Sequence, residues 1–517
     1  MSFVLALVLC ISVSATVLPT GARAEFQRCV PRQYQYDSIV CVCNATYYDT
    51  VEPVSEGQIS GGAAKHYVSD MAGRRLEPML MKFSASGARK SAVSYSVDRS
   101  VTYQKMLGFG GAVSDSAAIV TSQLSKGAQE HLLRSYFGQE GIDYSLIRLP
   151  MGGSDFSTRY YSLDDVSGDT TLQHFSLTEE DYKYKIPFVK RLQEISPRPV
   201  KLFTTAWSAP DWMKDIGTNI GYSSLKTQYY QLWAEYFIKF LDAYTKENVT
   251  FWAITPQNEP THGTIFHTKF NNMGWTAGDQ LTWLADHLIP ALRERHPGVE
   301  LMLFDDQRPY LKEWMDLQLA NETVRKYASG MGVHWYADIL AAASVMDTVH
   351  QEYPEKFLLY TESSVIHLGN VKAVRLGLWE RGEQYMTSIT EVSNHWVSGW
   401  VDWNLALDTD GGPNWANNSV DGAVIVNATA DEFYKQPMFY ALAHFSAFVQ
   451  PGSVRVGLRA EGDSDLQAVA FLTPENVTVL VFHNVDGDDV DVVIKDSERG
   501  SLSVKISGTS FNTILYK

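Results

Sequence analysis

The amino-acid sequence predicts a (β/α)8 barrel, a TIM barrel, carrying a second, all-β domain. Three observations carry that expectation: eight short apolar runs that end in polar or charged residues, helix-compatible stretches between them, and a C-terminal segment that reads as strands alone. The eight runs centre on Gly108–Ala112, Ser145–Met151, Lys201–Thr205, Phe251–Thr255, Leu301–Asp305, Met331–Tyr336, Phe357–Thr361 and Ser398–Asn404. Amphipathic stretches at Leu225–Lys246, Thr276–Arg295 and Arg381–His395 supply the intervening helices. The span from residue 108 to about 450 exceeds the ~250 residues typical of the barrel, so long loops are implied, and such loops sit at its catalytic end. A doubly wound sheet is the competing fold.

The segments flanking the barrel read differently. Asp465–Leu472, Val477–Asn484, Asp489–Ile494, Leu502–Ile506 and Phe511–Tyr516 are short strand patterns broken by turn residues such as Asp486-Gly487-Asp488. Similar signals at His66–Val68, Met79–Phe83 and Ala92–Val97 suggest that both flanks pair into one β-sandwich.

Composition bounds the function. The 517 residues carry 43 basic and 59 acidic side chains, a formal charge of −16, with 45% hydrophobic residues. That allows about three domains and a large core. An acidic chain lacks the clustered Lys and Arg of a nucleic-acid surface, so nucleic acid is set aside. Met1–Ala22 is uncharged with an apolar core from Phe3 to Leu18, and Ala22-Arg23-Ala24 is a small-x-small cleavage pattern. Residues 1–24 therefore read as a secretory signal peptide, a retained anchor being the minor alternative, and the remainder as soluble. Asn-x-Ser/Thr triplets at Asn44, Asn248, Asn321, Asn417, Asn427 and Asn476 agree with export through a glycosylating pathway. Three cysteines, Cys29, Cys41 and Cys43, remain near the N-terminus once Cys10 leaves with the leader, enough for one disulfide and one spare thiol.

Two glutamates stand where a barrel places its catalysts. Glu259 closes strand four in Trp252-Ala-Ile-Thr-Pro-Gln-Asn-Glu-Pro260, and Glu362 closes strand seven in Phe357-Leu-Leu-Tyr-Thr-Glu362. Glycoside cleavage needs one carboxylic acid to protonate the leaving oxygen and one carboxylate to attack the anomeric carbon or activate water. A single strand-end glutamate is more often a surface or salt-bridge residue, but the matched placement favours the catalytic reading. Asn258, pinned before Glu259 and Pro260, suits a donor to a sugar hydroxyl. Aromatics gather at other strand ends: Trp207, Trp212, Trp335, Tyr336, Trp403 and Trp415. Flat rings pack on the apolar faces of sugars. No zinc-protease, serine-hydrolase or phosphate-loop motif occurs, Gly108-Phe-Gly-Gly reads as a tight barrel entrance, and His262 and His267 read as residues of a solvated loop. No cofactor and no metal are implied.

Gly108-Phe-Gly-Gly, Ile147-Arg148-Leu-Pro-Met, Ser154-Asp155-Phe156, Trp207-Ser-Ala-Pro-Asp-Trp212, Asn258-Glu259-Pro260, Asp306-Gln307-Arg308, Val333-His334-Trp335-Tyr336, Tyr360-Thr361-Glu362 and Trp400-Val-Asp402-Trp403-Asn404-Leu together resemble the glucosylceramidases of glycoside hydrolase family 30. The resemblance runs from Cys41-Val-Cys-Asn-Ala-Thr to Arg455-Val-Gly-Leu. It implies a barrel at 104–404 plus 437–452, an immunoglobulin-like β-sandwich at 52–103 plus 453–517, and a small three-stranded antiparallel piece from 25–51 plus 405–436. It makes Glu362 the nucleophile and Glu259 the acid/base of a retaining, double-displacement hydrolysis of glucosylceramide. It puts Arg148, Asp155, Trp207, Asn258, Gln307, His334, Tyr336, Trp403 and Asn418 around the glucose and the catalytic pair, with Phe156 and Trp335 as aromatic lining.

The same resemblance implies a Cys29–Cys41 bridge. Cys43 is then unpaired, because tyrosine stands at Tyr47 and Tyr48 where the family has a fourth cysteine. It further implies a lysosomal lumenal protein, peripheral to membranes, helped by anionic phospholipids and a saposin-type activator, carried by a lysosomal transport receptor, and able to pass glucose to sterols. Retention requires carboxyl groups ~5–5.5 Å apart, and mutual repulsion would keep Glu259 protonated while Glu362 is ionised, with an acidic optimum. Near pH 5 the chain approaches its pI of about 5.3 and repels anionic lipid less. A glycan at Asn417 would crowd Asn418, so Asn417 is expected bare. The alternatives are a related retaining enzyme for another β-linked glycan or glycolipid, and a non-catalytic carbohydrate- or lipid-binding relative.

Overall fold

The structure, a computed structural model, describes residues 26–84, 93–366, 373–418 and 420–517. The expected signal peptide lies outside them. At its centre eight parallel strands close into a barrel: β1 Gly108–Ala112, β2 Leu146–Met151, β3 Lys201–Ala206, β4 Ala253–Ile254, β5 Glu300–Gln307, β6 Ala328–His334, β7 Phe357–Glu362 and β8 Val397–Asn404. The fold class is thus the TIM barrel that the apolar runs predict. Strands buried on both faces read as continuous apolar stretches, which is why they show in the sequence. Gly110 is required by close approach: a Cβ there would lie 1.9 Å from the Leu146 carbonyl oxygen of the neighbouring strand.

Strand β4 keeps only two residues, because Pro256 and Pro260 remove ladder donors from the chain beyond Ile254. That chain nevertheless stays tied to its neighbours, with Thr255 N–H donating to Thr204, Asn258 N–H to Ala206 and Glu259 N–H to Asp305. Strand β6 begins earlier than expected and stops at His334, so Trp335 and Tyr336 belong to the loop beyond it. Leu146, Phe203, Ala253, Met302, Leu359 and Val401 fill the barrel interior below the site, as a packed layer rather than a pore.

Helices Tyr230–Lys246 and Trp379–Asn394 lie where amphipathic periodicity predicts them, and Thr276 caps Ala277–Trp283 by accepting from Asp279 N–H. Helix Pro437–Ser446 is buried on every side, so it has no polar face to reveal it.

The second domain is one nine-stranded sheet that combines strands from both ends of the chain. Val93–Lys105 pairs antiparallel with Val454–Glu461 and parallel with Val490–Asp496. The sheet folds over Val93, Tyr95, Phe482, Ile494, Leu502 and Ile514, and a bridge between Ser84 and Ser501 brings its two ends together.

The small piece differs from the expected three antiparallel strands. It has five, in the order Pro31–Gln33, Ile39–Asn44, Glu432–Lys435, Val424–Asn427, Leu407–Asp408, and the last pair is parallel. Leu407–Asp408 follows barrel strand β8 after a bend at Leu405. Pro31–Gln33 is folded back beside Cys41 by the Cys29–Cys41 disulfide, whose Cα atoms are 5.1 Å apart. Cys43 is free and buried, its Sγ 3.4 Å from Asp49 Oδ1. Of the glycosylation triplets, Asn248, Asn417 and Asn476 are exposed in left-handed turns. Asn44 and Asn321 are half-buried and bond nearby backbone N–H groups, and Asn427 Nδ2 donates to the Tyr434 hydroxyl.

Candidate active site

Both glutamates open into one cleft at the C-terminal ends of the barrel strands, about 720 Å³ in volume. Asp155, Phe156, Trp207, Gln307, Tyr336, Trp403 and Asn418 share its wall with Glu259 and Glu362. One carboxylate oxygen of Glu259, one of Glu362 and one ring nitrogen of His334 lie within 4.8 Å of one another. Such a trio could in outline hold a metal. Here, though, His334 uses both nitrogens on protein partners and Glu362 both oxygens, so the trio is bound up in internal hydrogen bonds.

Glu362, at the end of β7, accepts from Arg148 Nη1 at Oε2 and from the Tyr336 hydroxyl at Oε1, 2.7 Å. Arg148 is fully buried, and its guanidinium also donates to Asn258 Oδ1 at 2.7 Å and to Asp305 Oδ2 at 3.0 Å. Its planar fork suits such multiple carboxylate contacts. Burial alone would lower the guanidinium's affinity for its proton, but Asp305 and Glu362 outweigh that. Its charge also lies over two stacked rings, 4.9 Å from Trp207 and 5.4 Å from Trp403. Arg148 and His334 lie behind the cleft wall and hold the carboxylates from beneath.

Glu259 sits at φ +45°, a left-handed conformation that costs a non-glycine residue about 1–2 kcal/mol. It is held there by its N–H bond to Asp305 and by the flanking Pro260. Its Oε1 accepts from Gln307 Nε2 at 2.7 Å and lies 3.1 Å from His334 Nδ1, while Oε2 lies 2.8 Å from His262 Nδ1. Burial pulls the Glu259 carboxyl up, but His262 and His334 overcome it and hold the group well below the usual carboxylate range. The expectation that Glu259 stands protonated by repulsion therefore meets a different arrangement, in which two imidazoles neutralise it. Burial would lower His334, yet Glu362 and Asp305 raise it to about 10, so its ring donates from both nitrogens.

Asp155 has an unpartnered, buried Oδ1, and its Oδ2 accepts from Asn418 Nδ2 at 2.8 Å. Burial and the negative charge of Glu362 push it up to about 7. In acid it is thus a neutral donor aimed into the cleft. Asn258 gives its Oδ1 to Arg148 and leaves Nδ2 without an acceptor among the described residues. Phe156 stands edge-on to Trp403.

Trp335 is a correction. Its ring points away from the cleft, edge-on to Tyr385 and Trp400, and its Nε1 donates to Ser364 C=O at 2.9 Å. His334 faces the site, so the next residue in extended chain faces the helix layer and Tyr336 returns to the site. His262 is the second correction: it lines the cleft against Glu259, whereas His267 is exposed in the loop as expected. Asp305 is the residue that sequence reasoning missed. It accepts from Arg148, Thr255 Oγ1 at 2.7 Å, Thr361 Oγ1 at 2.6 Å and His334 Nε2 at 3.0 Å, from beneath both glutamates. The available signal was its place at the end of an apolar strand, the same signal that marks the glutamates.

Comparison with known proteins agrees with this geometry. Residues 106–449 match the glycosyl hydrolase family 30 TIM-barrel domain and residues 452–514 the glycosyl hydrolase family 30 beta sandwich domain. The chain is 41% identical over 496 residues to the lysosomal acid glucosylceramidase of Mus musculus, covering 95% of this chain and 96% of that protein. It is 39% identical over 489 residues to putative glucosylceramidase 4 of Caenorhabditis elegans, covering 93% of each. Among solved structures, SrfJ from Salmonella typhimurium superposes with a TM-score of 0.81 at 24% identity, over 88% of this chain and 99% of that one, and supports the fold. With a closed barrel, a β-sandwich and paired glutamates at the strand ends, the chain belongs to glycosyl hydrolase family 30 and is a glycoside hydrolase.

Proposed function

We propose that this enzyme is a retaining β-glucosidase that hydrolyses glucosylceramide to glucose and ceramide in the lysosome. The observation that carries the reading is the approach of the two carboxylates to within 4.8 Å at the closest oxygens, beside a stacked Trp207–Trp403 pair. That spacing suits direct attack by a carboxylate on the anomeric carbon; an inverting enzyme leaves ~6.5–9.5 Å for a water. Glu362, paired with Arg148 and Tyr336, attacks the anomeric carbon. Glu259 protonates the leaving oxygen and later takes a proton from the water that releases glucose. Asp155, Asn258, Asn418 and Gln307 offer polar groups to the sugar hydroxyls.

The lipid part of the reading rests on the rim. Ile339 and Leu340 are 95% and 76% exposed in the loop after β6, and Phe266 and Ile366 are exposed beside the cleft. Apolar side chains so exposed around a sugar-sized cleft suit a glucoside whose aglycone lies in a membrane. Among the described residues no helix is long and apolar enough to cross a membrane; the reading is of an enzyme that meets its lipid substrate from the membrane surface. Anionic phospholipids, a saposin-type activator and a lysosomal transport receptor belong to the same reading, and sterols are candidate glucose acceptors. The test is release of glucose from glucosylceramide in anionic vesicles at pH 5, beside the Glu362→Gln variant. Turnover by the unmodified enzyme and loss in the variant support the reading. Robust turnover by the variant removes Glu362 as nucleophile, and an inactive unmodified protein revives the binding relative.

A further inference from the structure

We propose that His262 holds the proton that Glu259 delivers to the leaving oxygen, so that the general acid of this enzyme is a two-residue unit. The inference rests on the reading of Glu259 as acid/base. Oε1 of Glu259 already faces two donors, Gln307 Nε2 and His334 Nδ1, so a transferable proton belongs on Oε2. Oε2 is the oxygen nearest His262 Nδ1, 2.8 Å away. The Nδ1–H is angled off that oxygen and makes no hydrogen bond in this conformation, so delivery needs the ring to turn a little toward Oε2.

The arrangement is locally built. His262 N–H donates to the Glu259 carbonyl at 2.8 Å, so a single turn returns the imidazole to the carboxylate, and Phe266 and Phe270 stand edge-on to its ring. The charged groups around it are Glu259, Asp306 beneath, His334 on the far side of Glu259 and Lys269 on its own loop; Asp155, Glu362 and Tyr336 line the same cleft. Burial would lower the imidazole, but Glu259 and Asp306 raise it to about 9.

The proton count closes over the cycle. At rest the unit carries one proton, on Nδ1 of an imidazolium beside an ionised Glu259. When a glucoside fills the cleft and displaces water, the charged pair loses solvation and the proton shifts across this contact to Oε2. Glu362 then forms its bond to the anomeric carbon, the bond from that carbon to the leaving oxygen breaks, and the Oε2 proton passes to that oxygen. In the second step water attacks the anomeric carbon, the bond to Glu362 breaks, and the proton of the water returns through Oε2 to Nδ1. His262 acts through Glu259 as a positioning residue for the proton. Removing it takes away the group that stores the proton. Glu259 gains some proton affinity without the imidazolium, but beside His334 it still gives up its proton at a lower pH than the pair does, so the acid is empty above mildly acidic pH.

The test compares the unmodified enzyme with His262→Gln and His262→Ala on two substrates across pH 4–9. One is an alkyl β-glucoside, whose leaving group needs a proton; the other is 2,4-dinitrophenyl β-glucoside, whose leaving group does not. For the alkyl substrate kcat/KM at pH 7 falls about tenfold to a hundredfold and its alkaline limb moves down by about one pH unit or more, while the dinitrophenyl substrate changes by less than about threefold. Parallel loss on both substrates, or an unmoved alkaline limb, overturns the proposal and leaves His262 as a loop support. A ¹⁵N spectrum of the unmodified protein covers variants that fail to fold: the His262 ring is protonated at pH 7, and a neutral ring there overturns the proposal. If the unmodified enzyme cleaves neither substrate, it is the β-glucosidase reading that falls.

Discussion

Replacing Asp305 by Asn tests whether one buried carboxylate organises both halves of the site. Its Oδ2 accepts from Arg148 and Thr255, and its Oδ1 from His334 and Thr361. Burial pulls the carboxyl up, but Arg148 and His334 hold it far below the usual range, so it is ionised at any working pH. An amide has one acceptor oxygen and one donor nitrogen. Whichever way it turns, a charged donor, Arg148 or His334, then faces an NH₂ group. Breaking a buried pair in this way costs about 3–5 kcal/mol. At about 1 °C per kcal/mol for a chain of this size, Tm should fall by about 3–5 °C. Arg148 and His334 also lose the anchor that aims them at Glu362 and Glu259, and a shift of ~1 Å there is enough to lower kcat/KM about a hundredfold. Circular-dichroism melts and kcat/KM on an aryl β-glucoside read the two effects. A variant that melts within about 1 °C of the parent and keeps its activity would refute the hub.

Two further outcomes come from the same geometry. Tyr336→Phe removes the 2.7 Å hydroxyl bond to Glu362 Oε1, worth about 1–3 kcal/mol to a charged acceptor, so kcat/KM should drop about tenfold to a hundredfold with Tm little changed. Asp402 is buried with Oδ2 unpartnered, and burial lifts its carboxyl to about 7 despite bonds from Tyr385 and Trp403. Its folded pKa lies above its unfolded one, so its contribution is full below about pH 4 and is lost as pH rises through 7, by about 4 kcal/mol in all. Burial holds His66 and His483 down to about 4, and they act oppositely, losing stability as pH falls from about 6.5 toward 4. Melts at pH 5 and pH 8 should therefore show a smaller difference in Asp402→Asn than in the parent; an unchanged difference would rule Asp402 out as a source of acid stability.

The parts of this molecule that could be read from sequence are those where one physical cause acts alone. Leu358–Tyr360 and Leu301–Phe304 are apolar because both faces of a barrel strand are buried, and Glu362 and Glu259 stand out because charge follows such runs. Val477–Asn484 and Phe511–Tyr516 show as strands for a similar reason. The rest needed three dimensions. Helix Pro437–Ser446 has no polar face, and Leu407–Asp408 is too short to carry a pattern. Trp335 has the composition of a sugar-stacking residue, but strand alternation turns it to the helix layer. His262 gave no metal spacing and so read as solvent-exposed; its partner is a backbone turn away, and only the left-handed Glu259 brings the two together. Asp305 contacts no solvent, and its role exists only where β2, β4, β6 and β7 converge on it.

The most direct test of the central claim is covalent trapping. Incubating the unmodified enzyme with a 2-deoxy-2-fluoroglucosyl inhibitor and mapping the peptides by mass spectrometry should place one glucosyl adduct on Glu362, with none on Glu259. An active enzyme that forms no adduct, or one that carries it on another carboxylate, would contradict the account.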